Sequence, residues 1–410
     1  MRVLFASWAW PSHFYPMVPL AWAFQAGGHQ VRVASQPSLL PLIVKTGLPA
    51  VAVGHDVDGS DIMRRFMSRP AAQGQPLDMS RDERGAPRKR RPLALYERMA
   101  DAMLPDLLDL AGAWQPDLIV HEPTTYAAPL VAAALGIVNV RHLWGVDFQY
   151  QARQFELEVF DPHRERLGVD TFAPQGVVTV DPCPAGLQIP TDCPTLPVGY
   201  LPYNGSGVMP RWLLDPPDRR RVCVTWGTTM GTFAAGRSGI AQVLDALSDA
   251  DIEVVAAVSE RDRQALGTVP ANVRVVEMLP LHLLLPTCDL LVTQGGSGTV
   301  MTSAVAGVPM VVVPQLPDQT LNAQRIAAAG AGVHLPPEAR EPADIRAAVE
   351  KTLSEPGHAA AARELRGENR RRPGPAEVAA HLQGTVHLQG TAHLQGTAHL
   401  PGKAHERDMT

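Results

Sequence analysis

The chain has 410 residues, more than one ordinary core holds and about the length of two domains at roughly 100–200 residues each. Hydrophobic residues make up 45% and charged residues 19% of the chain, which supplies enough apolar material for two buried cores. A net charge of −5 gives no general attraction to nucleic acid or to an anionic membrane surface, and no apolar run reaches the ~18 residues of a membrane-spanning helix.

The N-terminal half alternates strand and helix patterns. In order, the patterns are a strand at residues 2–6, a helix at 16–26, a strand at 30–34, a strand at 117–121, a helix at 128–136 and a strand at 137–144. The first helix pattern ends at two glycines, which commonly stop a helix. Strand–helix–strand units of this spacing predict a parallel sheet with helices on its faces.

The segment from residue 56 to residue 95 shows neither pattern and is rich in Arg, Pro, Gly and Asp. Its basic run at residues 88–91 has no interleaved aromatic residues, so a solvated loop is expected there rather than a nucleic-acid site. Asp56 and Asp58 form a D-x-D motif that could bind the metal ion of a nucleotide sugar. No strand pattern leads into that motif, and we interpret it as solvated surface.

The C-terminal half starts a second series of strand and helix patterns after a Pro-, Gly- and Asn-rich segment, which is typical of an interdomain linker. Its strand patterns lie at residues 221–226, 253–258, 273–278, 289–294 and 310–314, and its helix patterns lie near 238–248, from within 295–299 and at about 319–329. The sequence therefore predicts an α/β protein of two Rossmann-like, parallel-sheet domains that face a cleft.

The end of the chain, from His381 to Ala404, repeats a six-residue unit of the type HLQGTA. Its glycines and its lack of aromatic residues predict a disordered tail, and we interpret its regularly spaced histidines as incidental. The predicted organisation is a first domain at residues 1–200, a linker at 201–217, a second domain with C-terminal helices at 218–379 and the repeat tail at 380–410.

His13 follows the first predicted strand, in the loop that enters the first helix. Ligands of open α/β sheets bind beyond the carboxyl ends of the strands, and imidazole takes up protons near neutral pH. His13 is therefore a candidate general base, with helix capping or packing as the alternative. Glu122 directly follows another predicted strand and is the candidate carboxylate that orients His13. The bulky loop around His13 lacks the G-x-G-x-x-G pattern of a dinucleotide site.

The strongest motif is a glycine-rich connection between the strand at residues 289–294 and the next helix. It consists of Thr293, Gln294, Gly295, Gly296, Ser297, Gly298 and Thr299. Backbone N–H groups and the positive end of the helix converge there, which predicts a diphosphate site that needs neither metal nor lysine. A turn that serves packing alone is the alternative. A second turn, with Thr228, follows another strand and is expected to face the same cleft.

Asp318 and Gln319 follow the strand at residues 310–314 and open a helix. A carboxylate beside an amide offers both acceptor and donor groups for the recognition of hydroxyls. Capping of the helix by Asp318, worth ~1 kcal/mol, is the alternative, and both roles can hold together.

Taken together, these motifs resemble the donor-site signature of family 1 glycosyltransferases with the GT-B fold. The stretch MLPLHLLLPTCDLLVTQGGSGTVMTSAVAGVPMVVVPQLPDQTLNA carries this resemblance. The stretches SHFYPMVPLAWAFQAGGHQVRVASQP, HEPTTYAAPLVAAALGIVNVRHLWG and LPYNGSG are similar to the subgroup that attaches deoxysugars to bacterial polyketide antibiotics. The resemblance covers roughly residues 1–355.

The resemblance implies a role for each candidate residue. His13 matches the catalytic base and Glu122 its acidic partner. The implied donor-site residues are Thr228, Met278, Leu281, Gln294, Gly295, Gly296, Ser297, Gly298, Thr299, Asp318 and Gln319. Met278 replaces the aromatic residue that often stacks on the nucleotide base. Gln294 stands where the family commonly has a His that contacts phosphate, and its amide can donate a hydrogen bond but cannot become cationic.

The acceptor is expected to lie against the N-terminal half of the protein. The candidates for an apolar lining, each of which could equally belong to the core, are Trp8, Trp10, Phe14, Trp144, Phe148 and Tyr150.

The resemblance implies an inverting glycosyltransferase that moves a deoxysugar from a nucleotide diphosphate, with dTDP expected, to an apolar, aromatic polyketide aglycone in antibiotic biosynthesis. His13 would deprotonate an acceptor hydroxyl or activate an electron-rich aromatic carbon. No cofactor and no metal are expected. Two alternatives stay open: an epimerase on the same fold, and a catalytically inert homologue that acts as a partner protein.

The expected ligands are the nucleotide-sugar donor and the small aglycone, with neither nucleic acid nor membrane as a partner, and a homodimer stays open. The cysteines lack the spacing of a zinc site, so reduced thiols in the cytoplasm are expected, although a bridge between Cys183 and Cys193 stays open.

Overall fold

The computed structural model describes residues 1–58, 90–227 and 239–397. Within these ranges the chain forms two β-sheets, and every pair of neighbouring strands is parallel. The strand order is β3-β2-β1-β4-β5-β6-β7 in the first sheet and β10-β9-β8-β11-β12-β13 in the second. Each sheet reverses its order beside its first strand, which is the arrangement of a doubly wound Rossmann-like domain.

The strands of the first sheet are β1 (Arg2–Ala6), β2 (Gln30–Ser35), β3 (Ala50–Ala52), β4 (Leu118–His121), β5 (Val138–His142), β6 (Thr179–Asp181) and β7 (Thr195–Pro197). Those of the second sheet are β8 (Arg221–Thr225), β9 (Glu253–Val258), β10 (Val273–Glu277), β11 (Leu290–Thr293), β12 (Met310–Val312) and β13 (Gly332–His334).

The described helices of the first half are α1 (Pro11–Phe14), α2 (Val18–Ala26), α3 (Leu40–Val44), α4 (Arg90–Trp114), α5 (Ala127–Leu135) and α6 (Arg153–Leu167). Those of the second half are α7 (Ile240–Ala246), α8 (Glu260–Ala265), α9 (Leu281–Leu284), α10 (Ser297–Ala306), α11 (Pro317–Ala328), α12 (Pro342–Ser354), α13 (Pro356–Arg371) and α14 (Pro375–Thr397). Short 3₁₀ turns lie at Tyr15–Met17, Pro37–Leu39, Phe148–Ala152, Arg211–Leu214 and Leu285–Thr287.

Each sheet is buried on both faces. In β1, Val3 and Phe5 point into one core while Leu4 and Ala6 point into another, because successive side chains of a strand alternate between the two faces. The strand is therefore apolar throughout, as expected for a parallel sheet covered by helices on both sides. The predicted class of two Rossmann-like, parallel-sheet domains is confirmed.

The predicted strands and helices all occur, most of them within two residues of the expected bounds. The short strands β3, β6, β7 and β13 were not predicted, and neither was the long helix α4, which begins inside the segment interpreted as loop. Residues 88 and 89 of the basic run lie outside the described residues. All four cysteines are free, in agreement with reduced thiols.

The C-terminal helix α14 returns to the first domain and corrects the prediction of a disordered tail from residue 380. Val378, Ala379 and Leu382 are buried in the same core as α2, and Val386 packs against it. These positions share one helix face, so packing offsets the helix-breaking tendency of the repeat glycines. The helix extends to Thr397, and residues 398–410 lie outside the described part of the chain.

Candidate active site

An open cleft lies between the carboxyl ends of the two sheets. Its walls come from the loops that follow β1 and β5 in the first domain and β8, β9, β10, β11 and β12 in the second. The cleft encloses about 1280 Å³, with the solvent at its mouth included. Residues of both domains therefore face the same open space.

His13 and Glu122 form a hydrogen-bonded pair on the wall of the first domain. His13 lies in α1, the first helix after β1, and Glu122 immediately follows β4. Because β1 and β4 pair in parallel, with Ala6 opposite His121, the two loops leave the sheet side by side. Nδ1 of His13 lies 3.2 Å from Oε2 of Glu122, so Nε2 is the ring nitrogen that is left for a substrate. The structure therefore places the two predicted residues side by side, while their catalytic roles stay predictions.

Glu122 is fully buried and is held as a carboxylate by two threonines. Thr124 donates its backbone N–H at 2.9 Å and its hydroxyl at 2.8 Å to Oε2, and the Thr125 hydroxyl donates to Oε1. Burial by itself would raise the pKa of Glu122, but the hydrogen bond and charge of His13 and the threonine hydrogen bonds outweigh it and lower that pKa. A permanent negative charge under Nδ1 fixes the tautomer of His13 and stabilises its protonated form.

Three tryptophans surround the His13 ring. Trp144 stacks on it, with ring centroids 3.8 Å apart and an interplanar angle of 14°. Trp8 and Trp10 meet it edge-on at 5.6 and 6.3 Å. Trp10 and Trp144, two of the residues predicted to bind the acceptor, line the cleft.

Four of the predicted acceptor residues do not line the cleft, which corrects those predictions. Phe14 neighbours His13 on α1 but points about 100° away from it, into the core, where it is fully buried. Trp8 is 4% exposed, because its indole N–H donates to the Thr124 hydroxyl at 2.8 Å and its ring stacks on Trp10. Phe148 and Tyr150 lie in the 3₁₀ turn after the cleft loop, and the Tyr150 ring packs under the Arg153 guanidinium.

The wall of the second domain carries the predicted glycine-rich turn. Gly295 has a φ of +93°, and a β-carbon there would lie 2.7 Å from Cγ1 of Val312, so only glycine fits. Helix α10 then starts at Ser297, and its first intrahelical bond runs from the N–H of Val300 to the carbonyl of Gly296. The N–H groups of the first turn, from Ser297 to Thr299, consequently have no partner within the helix and lie at the cleft, where an anion can bind them.

Gln294 points its amide nitrogen between the two turns of this wall. The Thr293 hydroxyl accepts the N–H of Gly295 at 3.3 Å and donates to Oε1 of Gln294 at 2.8 Å. Nε2 of Gln294 lies close to both turns: a β-carbon added to Gly227 would be 3.0 Å from it, and one added to Gly296 would be 3.2 Å from it. Thr293 thus orients the amide so that its donor group faces the cleft. The predicted residue Thr228 of the facing turn lies outside the described residues.

Asp318 and Gln319 line the cleft at the start of α11. Burial raises the pKa of Asp318, while backbone N–H groups and the positive field of His13 across the cleft oppose that rise. Oε1 of Gln319 accepts the backbone N–H groups of Gln315 and Leu316, at 2.9 and 3.1 Å, so the amide group of Gln319 keeps its donors for a ligand.

Met278 and Leu281, which follow β10, also line the cleft. The Met278 side chain is 63% exposed, and its backbone has a φ of +49°.

The structure adds residues that the sequence did not single out. Asn322 donates from Nδ2 to the carbonyl of Gly295 at 2.8 Å and to Oγ of Ser297 at 3.2 Å, which ties α11 to the glycine-rich turn. Asn204 of the linker lines the cleft and binds both Thr302 and His282. An asparagine four residues after Asp318, one helical turn away, was the available signal for Asn322.

The described part of the chain contains no cluster of three or more His, Cys, Asp or Glu side chains that could hold a metal ion. Asp56, of the D-x-D motif, accepts the backbone N–H of Ser38 at 3.1 Å, and neither Asp56 nor Asp58 lines the cleft. Among the described helices, none combines the length and the apolar character that crossing a bilayer demands.

Comparison with known proteins accounts for nearly the whole chain. Residues 22–227 match the family described as "Erythromycin biosynthesis protein CIII-like, N-terminal domain", and residues 241–384 match its C-terminal domain. The chain is 36% identical over 406 residues to the 3-alpha-mycarosylerythronolide B desosaminyl transferase of Saccharopolyspora erythraea, with 92% of this chain and 96% of that protein covered. It is 38% identical over 417 residues to the 10-deoxymethynolide desosaminyltransferase of Streptomyces venezuelae, with 93% and 96% covered.

A solved structure shares the architecture. The spinosyn rhamnosyltransferase SpnG superposes with a TM-score of 0.81 at 32% identity, with 93% of this chain and 100% of that chain covered. The same protein has been solved with thymidine diphosphate and with spinosyn aglycone.

The paired Rossmann-like domains, the cleft between them and the structural neighbour define a glycosyltransferase of the GT-B fold. The chain belongs to the erythromycin biosynthesis protein CIII-like family, whose two domain models together span most of its length. The resemblance drawn from the sequence is thus confirmed. The named relatives are sugar transferases and give no support to an epimerase or to an inert partner protein.

Proposed function

We propose that this glycosyltransferase transfers a deoxysugar from its dTDP derivative to an apolar polyketide aglycone, with inversion at the anomeric carbon and without a metal. The relatives named above transfer desosamine, and SpnG binds thymidine diphosphate. The observation that carries the proposal is that one cleft has an imidazole–carboxylate pair on one wall and the amide groups of a helix start on the other.

In the proposed reaction, His13 acts as a general base. Nε2 accepts the proton of the acceptor hydroxyl while the hydroxyl oxygen forms a bond to the anomeric carbon of the sugar. The bond from that carbon to the diphosphate oxygen breaks on the opposite face, and its electron pair leaves with the nucleotide. Glu122 stabilises the imidazolium, and the proton then passes to solvent.

The leaving diphosphate is proposed to bind at the start of α10. The N–H groups from Ser297 to Thr299 and the positive helix end stabilise the charge that develops on the leaving oxygen. Gln294 adds amide donors where a His would add a cation. Asp318 and Gln319 hold the sugar hydroxyls between the two walls, within reach of the base.

The acceptor is proposed to lie against Trp10 and Trp144, the two aromatic side chains of the predicted set that line the cleft. Their flat faces suit an aromatic or otherwise apolar aglycone, which would be stabilised by its removal from water. A cytoplasmic location belongs to the same proposal.

The proposed function is tested by incubating the full chain with a panel of dTDP-deoxysugars and polyketide aglycones, aromatic and macrocyclic, followed by mass spectrometry and proton NMR. The expected product has the mass of the aglycone plus the sugar minus water, and the opposite anomeric configuration to the donor. A parallel sample with EDTA is expected to turn over at an unchanged rate. A changed sugar in samples without aglycone would indicate an epimerase instead, and retention of configuration would contradict direct displacement.

Thr293→Val is expected to raise KM for the dTDP-sugar about fivefold while lowering kcat less. The substitution keeps the buried shape of β11 but removes the hydroxyl that turns Nε2 of Gln294 toward the diphosphate, a hydrogen bond of about 1 kcal/mol whose loss lets the amide rotate. Thr293→Ser is the matched control, because it retains the hydroxyl. Equal KM values for the two variants in steady-state assays would rule out this role for Thr293.

A further inference from the structure

A short loop beyond β5, residues 144–146, touches the base and the diphosphate turn at the same time. Its first residue, Trp144, stacks on His13 at 3.8 Å. Its next residue, Gly145, faces α10 of the second domain: a β-carbon there would lie 3.1 Å from Cβ of Ser297 and 3.5 Å from Cγ of Met301. The contact therefore bridges the two domains beside the reacting groups.

The loop is clamped at both ends. Before it, the N–H of Leu143 donates to the carbonyl of Val180 at 2.9 Å. After it, Asp147 forms a fully buried ion pair with Arg141 at 2.7 Å and donates its N–H to Gln188 at 2.9 Å. A segment held in this way transmits position instead of absorbing it.

The contact continues inside the second domain. Ser297 is the first residue of α10 and accepts a hydrogen bond from Asn322, which also holds the carbonyl of Gly295. Any displacement of Ser297 by the first domain would therefore carry the glycine-rich turn with it. A continuous series of contacts thus connects His13 to this turn through Trp144 and Gly145.

We propose that Trp144 and Gly145 form a spacer that sets the distance and orientation of the base relative to the diphosphate site, with both acting as positioning residues. This inference rests on the proposed function. Glu122 binds one edge of the His13 ring and Trp8 and Trp10 meet the ring edge-on, whereas Trp144 covers a ring face. This stacking fixes the tilt of the ring plane, and the tryptophan face also stabilises the imidazolium formed during transfer.

Gly145 is required because the domains approach so closely there. Its φ lies outside the left-handed region, so the backbone accepts alanine and the added methyl group acts only by contact with Ser297. Relief of a 3.1 Å contact moves the two walls apart by a few tenths of an ångström. Reactions that depend on near-attack geometry are sensitive to such shifts, since ~1 Å of misplacement can cost ~10²-fold in rate.

The first experiment compares Trp144→Phe with Trp144→Leu. Phenylalanine keeps a ring to stack on His13, whereas leucine keeps bulk and apolarity only. Trp144→Phe is expected to retain kcat within about threefold, and Trp144→Leu to lower kcat about 30-fold. The dissociation constant for dTDP, measured by calorimetry, is expected to stay the same in both variants. Equal kcat values for the two variants, or an effect of Trp144→Leu confined to KM for the aglycone, would overturn the positioning role and leave Trp144 as an acceptor contact.

The second experiment is a double-mutant cycle between Gly145 and Ser297. Gly145→Ala is expected to lower kcat about tenfold in the parent protein and to have no further effect in the Ser297→Gly background, because the atom that it touches is then gone. An equal loss in both backgrounds would overturn the spacer. If the parent protein transfers no sugar, the proposed function fails; if it transfers sugar and the cycle shows no coupling, only the spacer fails.

Discussion

His13→Ala is expected to lower kcat about 10³-fold and to leave the dissociation constant for dTDP within about twofold of the parent value. A positioned general base contributes ~10²–10⁴ in rate, and removal of this imidazole leaves the acceptor hydroxyl without a group to take its proton. The diphosphate site lies on the opposite wall and keeps all of its donors. Steady-state transfer assays and calorimetry with dTDP measure the two quantities separately.

The matched control is His55→Ala, which removes an exposed histidine of the same domain. It is expected to behave like the parent protein. If His13→Ala turned over at the parent rate, the base would have to be another group. If it lost dTDP affinity to the same extent as kcat, His13 would be a donor contact.

Glu122→Gln is expected to lower kcat about 10²- to 10³-fold with a smaller change in KM. The amide has the same shape but carries no charge to stabilise the imidazolium, and it brings donor hydrogens toward Nδ1 of His13. It also offers one acceptor oxygen to the three donor groups of Thr124 and Thr125, so a buried donor is left without a partner at a cost of about 1–3 kcal/mol in the free energy of unfolding.

The same variant has a pH signature. An unfolded chain has a Glu pKa of about 4.3, and the folded state lowers the pKa of Glu122 below this value. The carboxylate therefore stabilises the fold above the unfolded pKa, and this contribution is lost as the pH falls through the folded pKa. The difference in unfolding free energy between the parent protein and Glu122→Gln is therefore expected to be largest at neutral pH and to shrink below about pH 4. Urea titrations at several pH values measure it.

Glu156 provides the matched control of opposite sign. It is also buried in the first domain, and burial raises its pKa despite hydrogen bonds from Tyr126 and Gln175. Ionisation of Glu156 therefore destabilises the folded parent protein, and Glu156→Gln lacks this cost. The unfolding free energy of Glu156→Gln relative to that of the parent protein is expected to rise as the pH increases through the folded pKa. The variant should also retain kcat. If the unfolding free energies of Glu122→Gln and Glu156→Gln, each relative to the parent protein, changed with pH in the same direction, Glu122 could not be a permanent carboxylate.

Much of the site was predictable because its residues follow strands. A parallel sheet brings the residues after β1 and β4 together, so His13 and Glu122 could be paired from their positions alone. The glycine-rich turn was predictable for a similar reason: a buried strand, glycines and a helix start leave few other arrangements. Both inferences needed only local sequence and the topology of the fold.

What the sequence did not predict depends on side-chain direction and on distant contacts. Phe14 and His13 are neighbours on one helical turn, and only the three-dimensional structure shows that the phenylalanine points into the core. Helix α14 is stabilised by its packing on α2, about 350 residues earlier in the chain, where no local signal could compete with repeat glycines. Strands of three residues such as β3 and β13 have too few positions for a periodic pattern.

We propose that an imidazole on one wall of the cleft faces a diphosphate site made of peptide N–H groups on the other. A crystal structure of the full chain with dTDP tests it most directly. We expect the diphosphate oxygens to lie within hydrogen-bonding distance of the N–H groups from Ser297 to Thr299 and of Nε2 of Gln294, with Nε2 of His13 directed across the same cleft. A diphosphate bound elsewhere, or one bound through a metal ion, would contradict it.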